Sequence, residues 1–330
     1  LTHLISFGLQ FNKKYKYLSS FIIKAERFYL EAEKHFEKNE LFLRAGLLLY
    51  SHLLDSKKRK KISNQILKTN GKSKIIRSLS IFEQNYFYDW SQKDHFENAI
   101  INSKYFSKLN VKNIKNIDYI SNKKINIGFL SSDFERNHPI TFFIKNTIKY
   151  FNKEKFKIYI FSFSKKNNKD ESQNELKNLS DEWIDLEMYS NQQAANLIQE
   201  KRINILVDVM GFTAINRLDI FNTRVAPIQV SWLAYCNTLG FKTIDYIVAD
   251  EILINEGEEK FYSEKIIKLP QIWNAHSGFN YKRNFNILPS LGNNSFTFGS
   301  FNNFKKISDE TIEAWSSILK NVPNSKLVLK

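Results

Sequence analysis

The residues best placed to do chemistry follow a short apolar run near the middle of the chain. The polar segment 131–139 comes directly after the strand-like run 125–130, and open α/β sheets bind ligands at the carboxyl ends of their parallel strands. Pro139 suits the first position of a helix, so we expect His138 to be its N-cap. The positive end of the helix would keep the imidazole neutral and able to accept a proton. His138 is therefore a candidate general base, and a purely structural cap fits the same His-Pro pair equally well.

A second candidate site is the end of the apolar run 205–211. Asp208 lies there among aliphatic residues, and Gly211 and Thr213 belong to the turn that we expect beyond the strand. Because glycine lets a backbone approach closely, this turn could cradle a ligand. A tight turn around a hydrogen-bonded aspartate is the simpler alternative. The next strand-like run is followed by three more candidates: Tyr235, Asn237 and Thr238.

The third candidate is a pair of adjacent lysines near the carboxyl end of the sequence. Lys305 and Lys306 lie between a strand-like run at 296–300 and an expected helix, with Asn302 and Asn303 just before them. A lysine ammonium can neutralise a diphosphate, and asparagine side chains and backbone amides can add hydrogen bonds. This spacing suits phosphate binding, although two adjacent lysines more often form a solvated surface pair.

Runs typical of strands alternate with helical runs after residue 124 and would position these candidates. The expected strands are 125–130, 157–163, 203–209, 228–232, 244–249 and 266–269, and the expected helices are 139–151, 171–179, 192–201 and 215–221. Such alternation gives right-handed βαβ units and a mainly parallel sheet. After a loop at 280–294, a new unit is expected with strand 296–300, helix 309–320 capped by Ser308, and strand 326–329.

The first third of the chain has the pattern of stacked helices. Apolar residues recur at helical spacing in the segments 21–38, 40–55, 62–67 and 96–106. All five prolines come after residue 138, which also sets this stretch apart. A tetratricopeptide-like array is compatible with it, although the signature of such repeats is not visible. The most apolar segment, 41–54, contains Arg44 and His52 and is too short for a membrane span, so we expect a buried helix.

The net charge of +15 is concentrated in the same first third. Residues 1–124 contain 24 lysines and arginines against 11 aspartates and glutamates, whereas residues 125–330 contain 25 against 23. A basic face could bind an anionic partner such as nucleic acid. A solvated helical surface is the simpler explanation.

Cys236 is the only cysteine of the sequence, which excludes an internal disulfide and any site with several cysteine ligands. This suits a reducing compartment, and we expect a cytoplasmic protein. The sequence starts at Leu1 without a leader pattern and stops directly after a strand-like run. We therefore also expect a piece of a longer polypeptide.

Six motifs together resemble one family in order and spacing, the O-linked N-acetylglucosamine (O-GlcNAc) transferases and their bacterial and plant relatives. The motifs are 127–134 with His138-Pro139, 205–208 with Gly211 and Thr213, 224–232, 244–246, 262–265 with Leu269-Pro270, and 301–302 with Lys306-Ile307. The resemblance covers about residues 85–330. The large insertion that animal members carry between their two lobes is absent, as in bacterial members.

The resemblance implies an α/β fold of the GT-B glycosyltransferase type, in which two Rossmann-like lobes hold a nucleotide sugar, preceded by helical repeats that present polypeptides. It implies a helical region at 1–124, an N-terminal catalytic lobe at 125–290, and the start of an incomplete nucleotide-sugar-binding lobe at 291–330. Members transfer N-acetylglucosamine from UDP-GlcNAc to Ser or Thr hydroxyls, with inversion and without a metal or other cofactor. The implied partners are a UDP-sugar and a polypeptide acceptor. From the hydropathy we expect no membrane association, and a nucleic-acid-binding module is the least favoured alternative.

Carried over by position, His138 corresponds to the family's active-site histidine and Lys306 to the lysine that binds the donor diphosphate. Negative charge grows on the departing diphosphate, so a fixed ammonium stabilises the transition state more than the ground state. Asn303 replaces a glutamine that contacts the donor. The loops that would border the cleft contain five further candidate residues: Asp133, Gly211, Thr213, Tyr235 and Thr238.

Two departures from the family pattern leave a second interpretation open. Asn196 and Gln199 replace an acidic residue and a histidine proposed for proton handling, and neither amide can act as a base. The usual Gly-Tyr-Pro-Gly-Thr loop reads Ala-Tyr-Cys-Asn-Thr at 234–238. A catalytically degenerate helical-repeat scaffold is therefore the alternative to an active transferase, and we expect this chain alone to be inactive.

Overall fold

The structure, a computed structural model, describes residues 18–69, 73–87, 89–121, 123–135, 138–165, 167, 170–213, 215–278, 284, 286–293 and 295–329. These residues form two compact units. The sheet unit, as we call it, comprises the described residues of 70–82 and 90–278. The mixed unit comprises those of 1–69, 83–89 and 279–330.

The helices and strands are as follows, in chain order. The helices are α1 (Leu18–Phe36), α2 (Glu40–His52), α3 (Ser56–Lys68), α4 (Lys74–Glu83), α5 (Gln92–Ser103), α6 (Pro139–Lys149), α7 (Glu171–Leu179), α8 (Asn191–Glu200), α9 (Leu218–Phe221), α10 (Pro289–Asn293) and α11 (Asp309–Asn321). The strands are β1 (Ile125–Ser131), β2 (Phe156–Ser162), β3 (Glu182–Asp185), β4 (Ile205–Asp208), β5 (Ile228–Ser231), β6 (Tyr246–Ala249), β7 (Lys265–Lys268), β8 (Phe296–Ser300) and β9 (Ser325–Leu329).

The sheet unit is built on seven strands in the order β3-β2-β1-β4-β5-β6-β7. Every neighbouring pair is parallel, which confirms the expected parallel sheet. The strand order changes direction between β1 and β4, and doubly wound folds bind their ligands outside the carboxyl ends of the strands at such a switch point. The loops after β1 and β4 are therefore the place to look for a site.

The core of the sheet unit explains why its central strands read as unbroken apolar runs. Every residue of β1 after Ile125 is buried, because both faces of a parallel sheet are covered. Phe129 of β1, Ile144 of α6 and Ile160 of β2 belong to one apolar cluster and are at most 2% exposed. This packing fixes the positions of the strand ends, and therefore the points from which the loops at the carboxyl edge of the sheet begin.

The chain between α5 and β1 is held against the sheet unit by polar side chains. Gln192 of α8 donates to the carbonyl of Asn110 at 2.7 Å and accepts from its amide at 3.0 Å. Asp219 of α9 accepts from the Lys74 ammonium at 2.8 Å and from the Ser107 amide at 2.7 Å. Residues 90–121 thus pack with the sheet, and the domain boundaries predicted from the sequence stay predictions.

The mixed unit begins with the expected helices. The rings of Tyr29 in α1 and Phe42 in α2 stack with centroids 4.2 Å apart, and α2 buries Leu43, Leu47 and Leu49. The apolar segment at 41–54 is therefore a buried helix, as expected. In the part of the chain that the structure describes, no helix is long and apolar enough to cross a membrane.

The carboxyl-terminal part of the mixed unit is a strand–helix–strand element. β8 and β9 form a parallel two-stranded sheet, paired from Phe296↔Ser325 to Ser300↔Leu329. Ser308 caps α11 by accepting a hydrogen bond from the Thr311 amide, as predicted. No residue of α11 is buried, so this element contributes little core among the described residues.

Candidate functional site

His138 lies where the sequence placed it, at the start of α6 beyond the carboxyl end of β1. It is the N-cap of α6, with Pro139 following, and its Nδ1 accepts from the Ile140 amide at a long 3.4 Å. Its side chain is 35% exposed, and Nε2 lies 3.9 Å from Oδ1 of Asp133. The histidine is therefore a helix cap whose imidazole is also accessible to solvent.

Two carboxyl groups lie beneath this histidine. Asp208, at the end of β4, is 1% exposed, and its carboxylate accepts from the amides of Met210 at 3.2 Å and Gly211 at 2.9 Å. Burial raises its pKa to about 7, and the nearby charge of Asp133 adds to the shift. Burial likewise raises the pKa of Asp133, whereas His138 lowers it. Asp208 thus makes the tight hydrogen-bonded turn that the sequence allowed, next to the loop of His138.

Gly211 is required by the turn after β4. Its φ is +58°, in the left-handed region, and a Cβ there would lie 2.2 Å from Cβ of Tyr235. Tyr235 is 5% exposed and packs edge-on against Phe212 with centroids 5.5 Å apart. Glycine is therefore needed for close approach of the loop after β5, while Thr213 just beyond is half-buried.

Thr238 is part of a buried polar cluster. Its hydroxyl donates to Oε2 of Glu264 at 2.7 Å, and the other carboxylate oxygen accepts from the Leu239 amide at 2.9 Å. Burial raises the pKa of Glu264. In this structure Thr238 holds together the loops after β5 and before β7, and its predicted place in a ligand cleft stays a prediction.

Gln199 and Asn196 lie at the other end of the sheet from His138. Helix α8 runs back between β3 and β4, so its last turn reaches the amino end of β1, where Asn126 donates to the carbonyls of Lys201 and Arg202 at 3.0 and 3.2 Å. The five residues between Asn126 and Ser131 correspond to roughly 16 Å of strand. Gln199 is buried and exchanges two hydrogen bonds with the backbone of Lys112, at 2.8 and 3.1 Å. Its amide therefore holds the chain before β1.

Lys306 lies in the mixed unit and lines a cavity of about 270 Å³. The cavity is bordered by the start of α3, the turn after α4 and the segment 304–309. Lys306 is exposed, and no carboxylate of the described residues forms an ion pair with it. Asn303 caps the short 3₁₀ turn Phe304–Lys306 by accepting from the Lys305 amide at 3.1 Å. The cavity is also lined by Asp309, but an ammonium that forms no ion pair with a described carboxylate can bind an anion.

The neighbouring Lys305 has a different environment. Its ammonium donates to Oε1 of Glu83 at 2.7 Å, and Oε2 of the same carboxylate accepts from Arg59 of α3 at 2.9 Å. The two lysines are therefore not the solvated pair that adjacent lysines usually form. Sequence reasoning missed Glu83 and Arg59, because nothing local connects positions so far apart in the chain.

The basic run on α3 is largely neutralised within the mixed unit. Besides Arg59 with Glu83, Lys58 pairs with Glu26 and Lys61 with Glu33, at 2.8 and 3.1 Å, and Lys60 pairs with Asp89. Only Lys57 of the five consecutive cations forms no ion pair among the described residues. This run thus ties α3 to its neighbours through ion pairs.

Among the described residues, no group of three or more His, Cys, Asp and Glu side chains could hold a metal ion.

The sequence-predicted residues divide between the two units. His138, Asp133, Gly211, Thr213, Tyr235 and Thr238 belong to the sheet unit, and Asn303 and Lys306 to the mixed unit.

Comparison with known proteins places this chain in a family of glycosyltransferases. The sequence model of glycosyl transferase family 41 matches residues 97–279, which include all seven strands of the sheet unit. An Arabidopsis thaliana protein named "Probable UDP-N-acetylglucosamine--peptide N-acetylglucosaminyltransferase SPINDLY" is 31% identical over 63% of this chain and 23% of its own length. The Arabidopsis protein of the same activity name, SEC, is 31% identical over 63% of this chain and 22% of its own. This chain thus spans about a quarter of the length of these relatives.

A solved structure is similar in fold. The mutant O-GlcNAc transferase of Thermobaculum terrenum superposes with a TM-score of 0.68 at 20% identity, over 99% of this chain and 67% of that protein. Together with the parallel sheet and the helices before it, this likeness supports the GT-B architecture that the sequence predicted.

Proposed function

Because this chain belongs to glycosyl transferase family 41, we propose that its protein is an inverting glycosyltransferase acting on polypeptides. It would move N-acetylglucosamine from UDP-GlcNAc to serine and threonine hydroxyls, in the cytoplasm. The observation that carries the proposal is the family match across the whole parallel sheet, including the loops after β1 and β4. The activity printed in the names of the SPINDLY and SEC relatives supports the donor and the acceptor.

In the proposed reaction the acceptor oxygen bonds to the anomeric carbon of the sugar while the bond from that carbon to the diphosphate breaks. The hydroxyl proton passes to a base, and the diphosphate leaves as UDP. A residue that accepts the proton and a residue that neutralises the leaving group are therefore needed.

His138 is the proposed base. While Nδ1 accepts from the Ile140 amide, the proton of the neutral ring lies on Nε2, which faces Asp133. To accept at Nε2 the ring proton must move to Nδ1, which gives up the amide contact, and that contact is long at 3.4 Å. The imidazolium that then forms would be stabilised by Asp133, 3.9 Å away.

Lys306 is the proposed electrostatic stabiliser. It is exposed at a cavity and has no carboxylate partner in the described part of the chain. A fixed ammonium interacts more strongly with the departing diphosphate than with the bound donor, so it accelerates the chemical step. Because this charge is supplied by a side chain, we propose a reaction that needs no metal ion.

The departures at 196 and 199 do not weaken this proposal. Gln199 is engaged with the backbone of Lys112 at the amino end of the sheet, roughly 16 Å of strand away from the loop of His138. Gln199 therefore has a structural task in this protein. In the altered loop 234–238, the side chains of Tyr235 and Thr238 are buried. The test described next can also distinguish an active enzyme from a scaffold without activity.

The test uses the protein of the complete reading frame, UDP-GlcNAc with an isotope-labelled sugar, and a mixture of peptides containing serine and threonine. Mass spectrometry should find the label on hydroxyl side chains. Lys306→Ala should lower the rate by about a hundredfold or more, and His138→Ala by a similar factor. Lys326→Ala, which removes an exposed lysine of β9, is the matched control and should retain the rate.

Three results would contradict parts of the proposal. Full turnover by Lys306→Ala would remove the lysine from the mechanism. Transfer from a guanosine diphosphate sugar or from UDP-glucose in place of UDP-GlcNAc would change the donor. Tight UDP binding without transfer to any peptide would favour the scaffold.

A further inference from the structure

Two consecutive lysines of the mixed unit differ sharply in their surroundings. The Lys305 side chain is 20% exposed and ion-paired with Glu83, whereas Lys306 is exposed and unpaired among the residues described. Both lie in the 3₁₀ turn Phe304–Lys306. Such a turn has about three residues per turn, so consecutive side chains point roughly 120° apart. Fixing the direction of Lys305 therefore fixes the direction in which Lys306 leaves the backbone.

Glu83 is the residue that fixes Lys305. Its carboxylate lies between two cations, with Lys305 on Oε1 at 2.7 Å and Arg59 on Oε2 at 2.9 Å. The Arg59 and Glu83 side chains are only 2% and 11% exposed. Because these charges are largely removed from water, removal of one partner would leave another charge uncompensated.

Aromatic rings also contact the two cations that bind Glu83. The Lys305 ammonium lies 5.4 Å from the ring centre of Tyr86, and the Arg59 guanidinium lies 5.4 Å from that of Phe87. On the other side, Asn303 accepts from the Lys305 amide. The turn is thus held by its backbone at one end and by the Lys305 ammonium at the other.

We propose that Glu83 is a positioning residue for Lys306. By binding Lys305, it holds the turn in one orientation and leaves Lys306 as the single ammonium without an ion pair among the described residues that line the cavity. The inference rests on the proposed function, in which Lys306 binds the donor diphosphate. Arg59, which donates to Oε2, holds the other side of the carboxylate in place.

A direct test follows the mobility of position 306 without any donor. A nitroxide label is attached through Lys306→Cys, in a background where the only cysteine is removed by Cys236→Ser. Glu83→Gln, which keeps the size of the side chain and removes its charge, should increase the mobility of the label. Glu33→Gln breaks the α1–α3 ion pair with Lys61 and is the matched control, which should leave the label unchanged. Unchanged mobility in Glu83→Gln would overturn the inference.

A second variant covers the case in which Glu83→Gln fails to fold. Lys305→Gln leaves the Arg59–Glu83 pair intact and releases the turn at the same point. It should increase label mobility as well. An immobile label in this variant, with an unchanged circular dichroism spectrum, would equally overturn the inference.

The consequence for the donor is measured as UDP affinity of the complete protein by calorimetry. Glu83→Gln should weaken binding about tenfold when Lys306 is present and less than twofold when it is combined with Lys306→Ala. Equal losses in both backgrounds would mean that Glu83 does not act through Lys306. If the unsubstituted protein binds no UDP while the label responds as expected, the proposed function fails and the positioning role of Glu83 stands.

Discussion

Two strand–helix–strand elements of this chain share one plan and differ in burial. In the sheet unit, β1–α6–β2 has a glycine at the fourth position of its first strand, a capped helix and a parallel return strand. In the mixed unit, β8–α11–β9 has the same three features. Yet six of the seven residues of β1 are buried, whereas no residue of β8 is.

The difference lies in the neighbours of each element. β1 has a partner strand on each side, β2 and β4, while β8 pairs with β9 in a two-stranded sheet. Helix α6 buries Ile140, Ile144 and Ile148, whereas α11 buries none of its residues. The plan of the local sequence therefore specifies the element, and the number of packed neighbours decides how much stability its side chains contribute.

Matched aromatic truncations should show the largest contrast between the two elements. Phe129 of β1 is 2% exposed and contacts the rings of Phe151 and Trp232, so Phe129→Ala should lower the free energy of unfolding by about 4 kcal/mol. Phe298 of β8 is half-buried against Phe296, and Phe298→Ala should cost about 1 kcal/mol. Urea denaturation of both variants measures the contrast, and similar losses would refute it.

We expect the free energy of unfolding to depend on pH through Asp208, which lies in the sheet unit. The pKa of Asp208 is raised from its ordinary value of 3.8 to about 7 in the folded protein, so the folded state binds its proton more tightly than the unfolded state does. The stability that the protonated carboxyl gives is present below about pH 4 and is lost as the pH rises through about 7, a change of roughly 4 kcal/mol.

Denaturation between pH 4 and 8 can test this, because Asp208→Asn removes the titrating group. The variant should lose most of the decline in the free energy of unfolding over that range. Hydrogen exchange should locate the decline in the strands around β4. A decline of the same size in the variant would assign it to other groups.

Substitution of the two strand glycines should give the smallest and most specific contrast. At Gly128 in β1 an added Cβ would lie 2.8 Å from the ring of Phe161 and 3.2 Å from Ile203. Gly128→Ala should therefore cost about 2 kcal/mol through overpacking. At Gly299 in β8 the nearest atom would be 3.6 Å away, in the ring of Phe301, and Gly299→Ala should be neutral or stabilise by up to about 1 kcal/mol. Thermal unfolding of the pair would contradict the comparison if Gly299→Ala were the worse variant.

The sequence predicted most of the sheet unit, because its strands are apolar and its helices have clear starts. The strands at β1, β2 and β4–β7 and the N-cap at His138 were all expected. β3 was missed, since Glu182–Asp185 is a four-residue strand that contains two acidic residues and lies at the edge of the sheet. Helix α4 was missed as well, and the expected helix at 215–221 is reduced to α9, Leu218–Phe221.

The candidate site was predictable where its geometry is local. His138 before Pro139, and Asp208 before Gly211, are set by neighbours within a few residues, so the helix cap and the turn could be predicted from spacing, while a functional role stays a prediction. The roles of the two lysines and of Gln199 depend on partners far away in the sequence: Glu83 for Lys305, and Lys112 for Gln199. The separation is more than 200 residues in the first case, and no local pattern reports such a pairing.

The sequence by itself therefore determined the elements, the parallel sheet, the capped helices and the family resemblance, because these depend on local periodicity and on short motifs in order. The tertiary structure alone decided which of two adjacent lysines is free, that four of the five consecutive cations of α3 are ion-paired, and that Asn196 and Gln199 lie at the opposite end of the sheet from His138. The physical reason is that charge pairing and burial act between side chains close in space, and the fold brings those together from positions remote in the chain.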